Sequence, residues 1–117
     1  MPAASHAFDV LGDPIRRRIL ELLAAKEHAS GEVVEIIAME FGITQPAVSR
    51  QLKVLKDYGF ATVRAEGTRR LYTIDTRPLA EVDAWFEQFR RFWDPPLEAL
   101  ATEIARGKRA RKKRTRV

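Results

Sequence analysis

The stretch from Ser30 to Tyr58 leaves this chain few folds to choose from. Val33, Val34, Ile37, Ala38 and Phe41 recur at the spacing of one helical face, and Ser30 with Glu32 close behind is placed to cap the start. Gly42 stands where a left-handed residue closes a helix. Two residues later a second helix begins. Thr44 is its candidate N-cap, and Pro46 falls in the first turn, where backbone N–H groups have no helical partner anyway. Val48, Leu52 and Leu55 then recur at spacings of four and three until Tyr58-Gly59 ends the element. A helix, a tight turn and a helix therefore follow one another within about 30 residues.

The flanks extend the pattern. Phe8, Val10 and Leu11 predict a short opening helix that Gly12 stops. Asp13-Pro14 is a start signal, with Asp as N-cap and Pro at the first helical position, and Ile15, Ile19, Leu22 and Leu23 carry an amphipathic helix to about Ala25. After Gly59 the period changes. Ala61–Ala65 and Arg70–Ile74 alternate in part, with β-branched and aromatic residues, and Glu66-Gly67-Thr68 reads as a hairpin tip. Pro78 opens a last long helix with Val82, Trp85, Phe86, Phe89, Phe92 and Trp93 on broad apolar faces, and Asp94-Pro95-Pro96 breaks it. Leu97, Leu100, Ala101 and Ile104 support one further short helix. The expected fold is mainly α, five to six helices with a small two-stranded β-hairpin as a wing. One domain spans residues 1–105, and a basic, disordered tail spans 106–117.

Charge separates these parts. The chain has 21 Lys and Arg against 16 Asp and Glu, a net of +5. Eight of the basic residues lie between Arg106 and Val117, where there is no acid, so the remaining body carries a net −3. Between Thr44 and Tyr72, however, six cations face only Asp57 and Glu66, a local net of +4. Positive charge is concentrated on the second helix of the pair and on the hairpin, as contact with a phosphate backbone requires.

The second helix itself divides cleanly. At about 100° per residue, Leu52 and Leu55 fall within about 40° of Val48 and face the core, whereas Pro46, Ser49, Arg50 and Lys53 lie on the opposite side. Short hydrogen-bonding groups beside long cations suit a helix that enters the major groove of DNA. Gln45 stands near the N-terminal end, where reading helices reach base edges. Arg pairs bidentately with guanine and Gln with adenine. The competing reading of this face is an ordinary solvated helix surface.

Ile43-Thr-Gln-Pro-Ala-Val-Ser-Arg-Gln-Leu-Lys-Val-Leu-Lys-Asp-Tyr-Gly59 closely resembles the recognition-helix motif of ArsR-type winged-helix repressors. Leu11-Gly-Asp-Pro-Ile-Arg-Arg-Arg-Ile-Leu20 resembles that family's opening, and Arg64-Ala-Glu-Gly-Thr-Arg-Arg-Leu-Tyr72 resembles its hairpin. The resemblance covers about residues 6–93. It implies a winged helix-turn-helix homodimer that binds double-stranded DNA at a near-palindromic operator and represses transcription. The candidate DNA-binding residues are Thr44, Gln45, Pro46, Ser49, Arg50, Lys53, Lys56, Arg64, Thr68, Arg69, Arg70 and Tyr72. The family's dimer interface, built from first and last helices, maps onto Phe8, Leu11, Trp85, Phe89, Phe92 and Trp93. Composition points the same way, since five of the nine residues from Trp85 to Trp93 are aromatic. The alternative is a core lid formed by residues 97–104 folding back over them.

The sensor chemistry of the family is another matter. Where many members carry cysteines, this chain has Ala29-Ser30-Gly31, and it has no cysteine anywhere. Where others pair histidines with acids along the last helix, it has Asp83 and Glu87 but no histidine. Its two histidines, His6 and His28, read as surface or interface residues, so no metal site and no cofactor are expected. No nucleophile, phosphate loop or His–acid constellation suggests an enzyme. Lack of a signal sequence, of a membrane span and of cysteine fits a cytoplasmic protein. Which small-molecule effector acts on it, if any, is not written in the sequence. Two other readings stay open. One is a DNA-compacting protein that binds non-specifically through the tail; the other is a protein-interaction module that docks through its aromatic helix.

Overall fold

The computed structural model describes residues 3–93, with side chains from His6 onward; the expected helix at 97–104 and the tail at 106–117 lie outside the described residues. The chain divides into two compact units, residues 1–85 and 86–117. The first holds α1 (Ala3–Leu11), α2 (Pro14–Ala25), β1 (His28–Ala29), α3 (Ser30–Phe41), α4 (Gln45–Asp57), β2 (Ala61–Glu66), β3 (Arg69–Ile74) and all but the last residue of α5 (Arg77–Phe86).

The helix boundaries follow from caps. Asp13 Oδ1 accepts from the backbone N–H of Ile15 at 2.7 Å and starts α2 at Pro14. Gly42 closes α3 with φ +64°, a left-handed conformation that suits glycine, and its N–H reaches the Ala38 carbonyl. Thr44 Oγ1 accepts from Ala47 N–H at 3.2 Å and opens α4. The chain thus leaves one helix and enters the next within three residues.

The sheet is antiparallel with strand order β1-β3-β2. Ala61 pairs with Ile74, Val63 with Tyr72, and Glu66 with Arg69. Gly67 and Thr68 make the two-residue turn, and a positive φ at Gly67 but not at Thr68 is the type II′ pattern favoured in hairpins. One contiguous core binds the unit. Ile19, Leu20 and Leu23 of α2 meet Val33 and Ile37 of α3, Val48, Leu52 and Leu55 of α4, and Phe60, Ala61 and Tyr72 near the sheet.

Several expectations need correction. A third strand, β1, pairs His28 with Tyr72 and Ala29 with Leu71, so the sheet has three strands and not two. The cap of α3 is Ala29, held extended by that pairing; Glu32 Oε1 accepts from Ala29 N–H at 2.9 Å, and Ser30 is already helical. Phe41 does not join the buried face of α3 and is 37% exposed. His28 is buried, with Nδ1 donating to the Lys26 carbonyl at 2.9 Å, and so is not a surface histidine. The last helix is also shorter than its apolar pattern suggests. It ends at Phe86, and Glu87–Phe92 form a tighter 3-10 helix within the second unit. Helix ends commonly tighten to such turns. The tighter turn aligns Glu87 with Arg90 in an ion pair at 2.9 Å.

Candidate nucleic-acid interface

The cap at Thr44 and the burial of Val48, Leu52 and Leu55 fix how α4 is rotated. Those three side chains are at most 2% exposed, so the opposite side of the helix is turned to solvent. Pro46, Ser49, Arg50 and Lys53 are exposed there, and Thr44, Gln45 and Lys56 are exposed at the start and along the flank of the helix. On the wing, Arg64, Thr68, Arg69 and Arg70 are exposed as well. Tyr72 is not with them. It is 7% exposed and belongs to the core cluster, unlike the exposed residues around it.

The cations of this surface fall into two groups. Lys53 Nζ donates to Asp57 Oδ2 at 2.9 Å, one helical turn along α4. Arg69 Nη2 lies 4.0 Å from Glu32 Oε2. Arg64 forks onto Glu27, with Nη2 3.0 Å from Oε1 and Nε 3.2 Å from Oε2, and its Nη1 lies 3.6 Å from Glu66. The hydrogen bonds to Glu27, reinforced by the charge of that carboxylate, push the Arg64 pKa above its ordinary value. Among the described residues, Arg50, Lys56 and Arg70 have no carboxylate partner. They are the cations that can meet a phosphate without first leaving an ion pair.

Sequence reasoning missed residues that hold this surface in place. Arg16 of α2 donates to the side-chain carbonyl of Gln51 on α4 at 2.7 Å, and also to the backbone carbonyls of Val10 and Asp9. The available signal was Gln51 itself, a polar residue on the flank of a buried helical face that calls for a partner. Glu27 was missed because its partners, Arg64 and Thr73, are 37 and 46 residues away.

The residues expected at a dimer interface are divided between the two units. In the first, Phe8 and Trp85 meet edge to face with ring centroids 5.0 Å apart, and both remain partly exposed. Leu11 is half-buried and packs against the core. In the second, Phe92 and Trp93 are exposed and Phe89 is half-buried. Among the described residues, no group of three or more His, Asp or Glu side chains could hold a metal ion. No described helix is long and apolar enough to cross a membrane.

A family model described as a helix-turn-helix domain matches residues 11–64. The HTH-type transcriptional regulator Rv2034 of Mycobacterium tuberculosis is 38% identical over 99 residues, covering 85% of this chain and 86% of its own length. The crystal structure of an ArsR family transcriptional regulator aligns with a TM-score of 0.66 at 24% identity, over 80% of this chain and 93% of that one. The homodimeric winged helix-turn-helix DNA-binding domain of a possible ArsR-family regulator from Mycobacterium bovis aligns with a TM-score of 0.54 at 30% identity, over 80% and 82% of the two chains. Two capped helices joined at Gly42, a wing beside them and a relative matched along most of both chains lead to one conclusion: the chain belongs to the ArsR family of winged helix-turn-helix transcriptional regulators.

Proposed function

We propose that the protein is a cytoplasmic, homodimeric repressor that reads a near-palindromic operator with α4 and blocks a promoter by occupying it. The observation that carries this reading is the solvent face of α4, where Ser49 and Arg50 turn away from the buried Val48, Leu52 and Leu55 and Gln45 stands exposed at the N-terminal end. Gln45 offers a paired donor and acceptor and Arg50 a pair of donors, the groups that discriminate base edges, each worth roughly 1–3 kcal/mol against a wrong base. Thr44, Pro46, Lys53, Lys56, Thr68, Arg69 and Arg70 fix the helix and wing against sugar and phosphate. Base contacts then specify while phosphate contacts position. The Mycobacterium bovis neighbour, described as homodimeric, and the exposed aromatic side chains of α1 and α5 support a two-fold assembly. Repression by exclusion needs no catalytic group and no resident cofactor.

Selection of bound sequences from random DNA tests the proposal. An inverted repeat should emerge, with half-site centres about one helical turn apart or a multiple of it. Recovery of unrelated sequences with no shared half-site would refute it. The eight cations between Arg106 and Val117 favour a second reading, non-specific compaction of DNA, which predicts that outcome.

A further inference from the structure

Arg64 begins on β2 and ends beside β1. In the strand order β1-β3-β2 these are the two outer strands, and the Glu27 carboxylate that Arg64 grips immediately precedes β1. Arg64 pairs with Leu71 of β3, so the two side chains project from the same face of the sheet with Cβ atoms about 5 Å apart. To reach Glu27 the arginine stem crosses the central strand. Leu71 is 5% exposed although it stands outside the main core cluster, as expected of an apolar residue lying under a long aliphatic stem. Thr73, two residues along β3 and on that same face, donates its hydroxyl to Glu27 Oε2 at 3.3 Å. One carboxylate thereby gathers donors from β2 and β3 at the root of the hairpin. Glu66, from β2 itself, closes on the remaining side of the guanidinium at 3.6 Å.

We propose that Arg64 and Glu27 form a strut that positions the wing, and that Arg64 is not a phosphate contact. The proposal rests on the DNA-reading function above but makes its own assignment. A fork of two parallel N–H···O bonds fixes an angle as well as a distance, which a single lysine-type contact does not do. An arginine held by two carboxylates would have to abandon both to meet a phosphate, whereas Arg70 near the turn has no such partner among the described residues. The wing tip therefore touches DNA from an orientation set at its base. Glu27, which carries the wrong charge for any DNA surface, acquires a function in this arrangement.

Three variants in the full chain, Glu27→Gln, Arg64→Ala and the double substitution, test the strut. Each single variant should weaken binding to the selected operator about threefold, the scale of one exposed ion pair. The double variant should be no weaker than either. The slope of log affinity against log salt should match that of the unsubstituted protein, because no phosphate contact is lost. In DNA-free protein, amides of β2 and β3 should exchange faster while those of α2 and α4 do not. If Arg64 contacts phosphate, Glu27→Gln will instead tighten binding, and Arg64→Ala will flatten the slope by about 0.9 per protomer. That result overturns the strut, as does unchanged exchange in the wing. Should the unsubstituted protein show no site preference, the DNA-reading proposal fails, and the exchange measurement still decides the strut by itself.

Discussion

Arg16 Nη1 donates to Gln51 Oε1 at 2.7 Å and so ties α2 to α4. The same guanidinium donates through Nε to the Val10 carbonyl at 2.8 Å and through Nη2 to the Asp9 carbonyl at 3.0 Å. These carbonyls belong to the last turn of α1, which carries partial negative charge, and they also accept from the N–H groups of Gly12 and Asp13. One side chain therefore connects the end of α1 to α4. Arg16→Ala should destabilise the fold by about 2 kcal/mol in urea titrations, since it strips several partners at once. Gln51→Ala removes only the link to α4 and should lower operator affinity with a smaller loss of stability. Equal effects of the two variants on both quantities would refute a coupling role for this contact.

Arg50 is exposed on α4 and has no carboxylate partner among the described residues. Its replacement by Ala should cost about 1–3 kcal/mol at one position of each half-site and relax base preference there. Lys56→Ala should weaken all sequences alike and reduce the salt slope by about one unit per protomer. Titrations against the operator and its single-base variants separate the two patterns. If Arg50→Ala also weakens every sequence equally, the residue holds phosphate and the reading face needs redrawing.

The basic segment after Ala105 distinguishes repression from compaction. Truncation there removes eight cations from a body whose remaining charge is negative. A specific repressor should lose affinity and salt dependence for operator and scrambled DNA by the same factor, leaving their ratio intact. Near-complete loss of binding, with no ratio left to measure, would favour the compacting reading.

The parts legible in the sequence were those whose cause is local. Thr44, Pro46 and the spacing Val48-Leu52-Leu55 specify the start and the rotation of α4 within one short window, and the helix follows them. The parts that escaped depend on distant partners. β1 is two residues long and exists because Tyr72 and Leu71 lie beside it, so no local alternation announces it. That pairing also displaced the cap of α3 from Ser30 to Ala29. Tyr72 belongs by sequence to a basic hairpin, yet its register opposite Val63 points it into the core. The candidate site was readable as a list of cations. Which of them are already held by Glu27, Glu32 and Asp57 was not, because two of these three acids lie on other elements.

Acid should weaken the fold through carboxylates that their partners hold ionised, Glu32 and Asp75 among them. Accepting the Ala29 N–H holds Glu32 below its ordinary value of 4.5, and the side-chain hydrogen bonds from Arg77 hold Asp75 below 3.8. A carboxylate whose pKa is lower folded than unfolded stabilises the fold above its unfolded value, and this contribution is lost as pH falls through the folded one. The melting temperature should therefore be flat near neutrality and decline on the acid side of these ordinary values. Glu32→Gln should lower the neutral plateau and make the acid decline shallower. Calorimetry across about pH 3 to 7 reads both, and an acid limb identical to that of the unsubstituted protein would show that Glu32 does not contribute to it.

Trp85 is 42% exposed while its ring meets the edge of Phe8, itself 36% exposed, so α1 and α5 present a shared aromatic surface. Aromatic side chains that stay partly exposed on a shared surface are frequent components of protein–protein interfaces. A second copy related by a two-fold axis provides the covering surface, and buried tryptophans are frequent anchors of such interfaces. Trp85→Ala should weaken dimerisation by about 2 kcal/mol, roughly thirtyfold in the dissociation constant. Operator affinity should fall with it, because two half-sites must be engaged together. Affinity for an isolated half-site should change little, since Trp85 lies on α5 and the reading face on α4. Analytical ultracentrifugation over a dilution series measures the first effect and titration of whole and half operators the second. A dissociation constant unaffected by the substitution would place the dimer interface elsewhere and leave the Phe8–Trp85 pair as a purely intramolecular contact.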